Sequence, residues 1–274
     1  MEGYLGILVF FLLGSVIGSF LNVVVYRLPI MLEESWKREA SLILKKKVAS
    51  TSPALNLAHP ASHCPNCQAP LRFYENIPLL SYIWQKAKCR HCQEKIEISY
   101  FLVESFMGLI FSILLYRLGL SYALLGGAIL SACLIVIALI DLRTQIIPDL
   151  ITVPLIWIGL LFNLKGVYGV SLESAVLGAL VGYLALWIVY QMFRLLTGKE
   201  AMGYGDFKLF SALGAWLGVM NLPILLLSAS VSGLALALLL RAKPGQPLPF
   251  GPAIVLAGLL IFIFSPELIS ILQL

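Results

Sequence analysis

The stretch SYALLGGAILSACLIVIALID, residues 121–141, carries no charge over its first twenty positions and then ends on an acid. Twenty apolar residues are about what a helix needs to cross ~30 Å of hydrocarbon. A second acid, Asp206, stands in Gly203-Tyr204-Gly205-Asp206-Phe207-Lys208, again at the edge of an apolar run. A carboxylate in such a place is unfavourable unless the protein uses it. Two acids that can be brought together share a proton, so that one acts as base on a water while the other polarises a carbonyl. Asp141 and Asp206 are therefore the candidate catalytic pair.

Working outward, the 274 residues are 60% hydrophobic and only 12% charged, with a mean hydropathy of +0.94. Too little of such a chain could face water for a soluble globule, so the fold class is an all-α polytopic membrane protein. A first span covers about Tyr4 to Tyr26. It lacks a charged n-region and a small-residue cleavage site, and so reads as a retained anchor. Further apolar runs recur at about 99–118, 121–140, 150–163, 170–194, 205–220, 222–240 and 252–272, which makes about eight transmembrane helices. Asn221 and Pro223 favour a turn between the sixth and seventh of these eight helices.

Net charge is +5, but where the bases lie matters more than their sum, and no nucleic-acid partner is implied. Eleven of the nineteen Lys and Arg fall between Arg27 and Lys95. The positive-inside rule makes that segment cytoplasmic and the N-terminus external. With eight spans, seventeen bases lie inside and only Arg117 and Lys165 outside, and Asp141 and Asp206 share the cytoplasmic face. The expected domains are a first membrane helix over 1–26, a cytoplasmic domain over 27–98 and a seven-helix core over 99–274.

Within the insert, Cys64-Pro65-Asn66-Cys67 and Cys89-Arg90-His91-Cys92 are two C-x-x-C knuckles twenty-one residues apart, close to the spacing of a four-cysteine zinc ribbon. Four sulfurs fill a tetrahedral site, so the zinc is structural and closes a domain too small to be stable on apolar burial alone. A disulfide pair is the competing reading, and a reducing compartment disfavours it. His63 and His91 are neighbours of the site, and Cys133 is a small buried hydrophobe. The charged run from Met31 to Ala58, with Lys45, Lys46 and Lys47, is either an amphipathic helix on anionic lipid or a solvated linker.

Other residues carry bland readings beside the functional ones. Asp141 is alternatively a loop residue paired with Arg143, and Asp206 an N-cap. Asp149, beside Pro148, suits the first turn of a helix, where the dipole favours a carboxylate. Gly203 and Gly205 allow positive φ and close backbone approach. The small residues Gly14, Ser15 and Gly18 fit tight helix packing, and Asn22 hydrogen-bonds a neighbour or lines a cleft. Glu104 faces protein or water, and Pro249-Phe250-Gly251-Pro252 is explained by turn chemistry.

Taken together, Gly18-Ser19-Phe20-Leu21-Asn22 through Tyr26-Arg27-Leu28-Pro29, the paired knuckles with Glu75-Asn76-Ile77-Pro78-Leu79-Leu80-Ser81 between them, Asp141 through Ile147-Pro148-Asp149, the G-x-G-D motif and Pro249-Phe250-Gly251-Pro252 resemble the type IV prepilin peptidases over nearly the whole chain. The resemblance implies a bifunctional enzyme of the bacterial inner membrane. It implies that Asp141 and Asp206 are the catalytic acids and that the substrates are prepilins or pseudopilins, cut after a glycine that ends a basic leader. It further implies methylation of the new N-terminus by S-adenosylmethionine, although no glycine-rich nucleotide loop follows a strand. Another G-x-G-D protease would carry a Tyr-Asp acid and a Pro-Ala-Leu segment, absent from the expected places. An ion-coupled transporter would hold its acids at the midplane.

Overall fold

The computed structural model describes residues 2–45, 55–199, 202–239, 241 and 248–272, with side chains from Gly3 to Phe264. The helices are α1 (Glu2–Ile43), α2 (Leu80–Trp84), α3 (Ile98–Leu118), α4 (Tyr122–Thr144), α5 (Asp149–Leu164), α6 (Leu172–Thr197), α7 (Tyr204–Leu217), α8 (Leu222–Leu239) and α9 (Gly251–Leu272). Among the described residues there is no strand, only the isolated bridges His63–Pro70 and Lys88–Lys95. Each of the eight apolar runs is a helix. Five helices are long and apolar enough to cross a membrane: α1, α3, α4, α6 and α8 extended by its preceding turn. At ~1.5 Å per residue, α5 and α7 reach only about 24 and 21 Å, short of ~30 Å of hydrocarbon.

The chain divides into two units, Met1–Tyr116 and Arg117–Leu274. In the first unit α1 does not stop where the apolar run ends. It passes Arg27 and Pro29 and continues to Ile43, held on its charged part by Glu33–Lys37 at 2.6 Å and Glu34–Arg38 at 3.7 Å. Hydropathy reports where lipid ends, and i,i+4 ion pairs let the helix go further. Lys46, Lys47 and the rest of 46–54 lie outside the described residues. The small residues of α1 face α3: a Cβ on Gly18 would stand 2.9 Å from Glu104 Cα, and one on Gly108 would stand 2.7 Å from Ser15 Oγ. Backbones approach this closely only where side chains are absent.

Glu104, buried at 8% exposure, has an occupation the sequence did not reveal. Its carboxylate accepts the Leu79 N–H at 2.8 Å and the Ser19 hydroxyl. Leu79 sits at φ 61, ψ −50, a conformation an L-residue resists, and the hydrogen bond holds it there at the head of α2. Glu75, also buried, accepts the Arg72 N–H at 2.8 Å. Two buried acids thus organise the segment between the knuckles. Asn22 donates to the Tyr100 carbonyl at 3.4 Å. Glu104→Ala is expected to cost ~1–3 kcal/mol by orphaning the Leu79 N–H. Faster proteolysis within 73–84 than in wild type is the measurement that checks it.

In the second unit α7 is the central element. Asp206 to Leu217 is buried on nearly every face, with Phe207, Leu209, Ala212, Leu213 and Ala215 at 0% exposure. A helix apolar all round belongs inside a bundle. Gly178 of α6 and Gly214 of α7 meet backbone to backbone. On another side, Trp216 fills the space over Gly159 of α5, donates to the Leu155 carbonyl at 2.9 Å and stacks on Phe162. Asn163 Nδ2 donates to the Ala215 carbonyl at 2.8 Å, which locks α5 to the end of α7. Gly218 at φ 80 ends α7, Asn221 Nδ2 bonds the Leu217 carbonyl at 2.6 Å, and α8 begins at Leu222. The turn expected near Gly218 to Pro223 is there.

Candidate active site and metal centre

Asp141 lies in the last turn of α4, before Gln145 terminates that helix in the left-handed region. It is 5% exposed, and its Oδ2 accepts the Gly251 N–H at 3.0 Å. Gly251 opens α9, so a free amide at a helix N-terminus points at the acid. Asp206 is the third residue of α7, one turn past the N-cap Gly203, and is not itself the cap. Its carboxylate is reached by the Gly203 N–H and by the field of Asp141, while its Oδ1 is buried with no hydrogen-bond partner among the described residues. The two acids therefore act on one another. A buried carboxylate oxygen with no protein partner is unfavourable in a finished core.

Ile147, from the turn between α4 and α5, packs at the centre of this arrangement. A Cβ on Gly205 would stand 2.7 Å from Ile147 Cβ, and one on Gly251 would stand 2.6 Å from Asp141 Oδ2 and 3.1 Å from Ile147 Cδ1. Gly203, by contrast, is extended at φ −80 and would admit a Cβ with only an ordinary 3.7 Å contact to Asp206. Positive φ is not what the G-x-G-D glycines supply. Gly205 supplies room for Ile147. Lys208 does not attend the acid pair: its Nζ bonds both oxygens of Asp149, at 2.7 and 2.6 Å, bridging the starts of α5 and α7.

In the first unit the four thiols of Cys64, Cys67, Cys89 and Cys92 lie within 4.8 Å of one another. Cys64–Cys92 and Cys67–Cys89 are 3.8 and 3.9 Å apart, far beyond a disulfide, and all four are free. Sulfurs around a tetrahedral ion with ~2.3 Å bonds stand about 3.8 Å apart, so the donor set fits a metal. The two knuckles fold alike. Cys64 and Cys89 each accept an N–H from four residues on, Gln68 and Gln93, both at positive φ. Backbone N–H groups of Cys92 and His91 pull the Cys89 thiol down to about 7. Against the Ala69 N–H, which lowers it, burial and the neighbouring sulfurs push Cys67 up to about 11. A cation among them removes that conflict. Neither His63 nor His91 belongs to the group.

Residues 12–118 match the family described as Bacterial Peptidase A24 N-terminal domain, and residues 128–238 match the Type IV leader peptidase family. Three prepilin leader peptidase/N-methyltransferases are similar over most of their length. That of Neisseria gonorrhoeae is 47% identical over 91% of this chain and 87% of its own. Those of Dickeya chrysanthemi and Aeromonas hydrophila are 48% and 47% identical, over 92% and 90% of this chain and 90% and 87% of theirs. The chain belongs to the type IV leader peptidase family. No solved structure matches it.

In this member of the leader peptidase family, Pro249-Phe250-Gly251-Pro252 does more than turn the chain, the reading its sequence supports: Gly251 positions Asp141. The available signal was a glycine immediately before a proline at the start of an apolar run, where a bare N–H and no Cβ are both offered. Gly251→Ala places a methyl against the Asp141 carboxylate and is expected to lower peptidase turnover by roughly tenfold or more, since small misplacements of reacting groups carry large rate penalties. Gly203→Ala is expected to stay within a few-fold of wild type. Initial rates of both variants on one prepilin check the contrast.

Proposed function

We propose that this protein is a membrane aspartic peptidase that removes the basic leader of prepilins or pseudopilins and then N-methylates the new N-terminus. Membership of the family and the curated relatives named prepilin leader peptidase/N-methyltransferase support both activities. The observation that carries the peptidase half is the unpartnered buried oxygen of Asp206 next to an Asp141 tethered by the Gly251 N–H. In this reading one carboxylate takes a proton from water as the water attacks the scissile carbonyl, and the other acid, which holds the pair's shared proton, donates a hydrogen bond to the carbonyl oxygen. A proton returned to the leaving amine completes hydrolysis. Asp149, engaged by Lys208, serves structure. Asp149→Asn is expected to keep at least about a third of the cleavage rate, because a half-exposed ion pair contributes little.

The same reading places the enzyme in the bacterial inner membrane with about eight spans, an external N-terminus, and the zinc domain and both acids on the cytoplasmic side, where the leader of an inserted substrate is found. The ion held by Cys64, Cys67, Cys89 and Cys92 is zinc, structural because all four positions are filled by sulfur. When bound, S-adenosylmethionine would supply an electrophilic methyl group to the freed amine, the sulfonium C–S bond breaking to leave S-adenosylhomocysteine and the amine giving up a proton. The deciding experiment incubates the reconstituted enzyme with prepilin, with and without S-adenosylmethionine, and with no ion gradient. Cleavage in both and a gain of one methyl mass only with the donor is the expected result. Absence of cleavage, or cleavage that requires a gradient, overturns it.

A further inference from the structure

The segment between the two knuckles carries its largest apolar side chains on the outside. Phe73, Leu80, Ile83 and Trp84 are 86, 58, 63 and 85% exposed among the described residues. Leu80, Ile83 and Trp84 stand at i, i+3 and i+4 of α2 and so share one face. Tyr82 turns the other way, its ring 5.2 Å from that of Phe101 in the first turn of α3. Exposed apolar surface of this kind marks contact with a partner or a membrane. A second contact fixes the depth of the segment. The Leu79 N–H reaches Glu104 at 2.8 Å, and Glu104 lies about 9 Å along α3 from its start at Ile98. The 21 residues of α3 measure about 31 Å, little more than the hydrocarbon a span has to cross. Leu79 therefore stands beside the second turn of a helix that has already entered the bilayer.

We infer that residues 73–84 are inserted into the interfacial layer of the bilayer where α3 enters it, with Phe73, Leu80, Ile83 and Trp84 among the lipid headgroups and upper acyl chains. The inference goes beyond the proposed reactions and rests only on α3 being a span. Charge fits such a surface. Between His59 and Gln93 the one acid, Glu75, is buried, whereas Arg72, Lys86, Lys88 and Arg90 are exposed. Bases beside an apolar patch are drawn to anionic headgroups, and Trp and Tyr favour the boundary between membrane and water. Arg72 and Arg90 both donate to the Tyr74 hydroxyl, and the Tyr74 ring meets that of Phe73 edge-on at 5.4 Å, so two of the bases gather beside one of the exposed rings. Lipid, in place of protein, then covers the apolar side chains of a domain that buries almost none of its own.

The test places the full chain, one copy per nanodisc, in phosphatidylcholine and phosphatidylglycerol with a trace of phospholipid that carries a photoactivatable diazirine high on one acyl chain. After illumination, trypsin releases residues 73–86, 91–95 and 96–117 as separate peptides, and mass spectrometry measures the lipid adduct on each. Peptide 96–117 holds α3 and reports insertion of the chain. Peptide 73–86 is expected to carry adducts within about threefold of 96–117 and about tenfold or more above 91–95. Labelling of 73–86 no higher than that of 91–95, with 96–117 labelled, overturns the inference and leaves the patch to a protein partner. No adduct on 96–117 refutes α3 as a span, a different failure that removes the ground of the inference. Ile83→Gln and Trp84→Gln together are expected to lower labelling of 73–86 about fivefold or more while one metal per chain stays bound, which reports intact knuckles. Unchanged labelling in that metal-replete variant overturns the inference as well. If the variant loses metal, the wild-type comparison decides alone.

Discussion

Asp141→Asn and Asp206→Asn are each expected to lower the cleavage rate by roughly 10³-fold or more, the scale of a lost general acid or base. Both substitutions are nearly isosteric. An amide oxygen at 141 still accepts the Gly251 N–H seen at 3.0 Å, so helices α4 and α9 stay joined and the protein still inserts. Because hydrolysis needs the carboxylates and methyl transfer needs only a donor and a free amine, the same variants are expected to methylate a pre-cleaved pilin. Rates on intact prepilin and on pre-cleaved pilin, measured side by side, check both statements. Activity above a tenth of wild type in either variant removes that residue from the catalytic pair. Loss of methylation of pre-cleaved pilin in both variants places the two reactions in one site.

Loss of metal is the second large effect. Structural zinc in small domains contributes on the order of 10–16 kcal/mol of folding free energy. Residues 63–95 also have two short bridges, the acids that clamp the 73–84 segment and the Arg72 and Arg90 bonds to Tyr74, but among the described residues their only buried apolar side chains are Cys64 and Cys89 themselves. Cys89→Ser is therefore expected to abolish stoichiometric zinc and to expose residues 63–95 to proteolysis. The second unit keeps its own core around α7. Elemental analysis gives the first result and peptide mapping after brief protease treatment gives the second. One zinc per chain in Cys89→Ser, with the segment still protected, shows that the thiols are not the ligands.

Much of this arrangement is written in hydropathy. The apolar runs beginning near 99, 121, 150, 170, 205, 222 and 252 each became a helix, because a membrane chain must satisfy its backbone hydrogen bonds within the segment. A helix in the charged run from Met31 was one of two readings there, but that α1 runs unbroken past Arg27 and Pro29 to Ile43 was not legible. The cysteine cluster was legible in full from its spacing. Asp141 and Asp206 were legible as acids in unfavourable places, but their surroundings were not. Nothing local announces that Gly251 donates to Asp141, or that Gly205 exists to admit Ile147. Those are long-range contacts, and Lys208 shows how little proximity in sequence decides. Two residues from Asp206, it turns instead to Asp149, because its own helix face carries it there.

The tether from Gly251 to Asp141 spans 110 positions, and it has a consequence for biogenesis. A ribosome delivers α4 through α8, with both acids, well before the first residue of α9 leaves the exit tunnel. Until then Asp141 lacks the amide that fixes it, and the bundle lacks the helix that packs against α4 and α8. In the proposed reading, the acid pair is therefore complete only after α9 has joined the bundle.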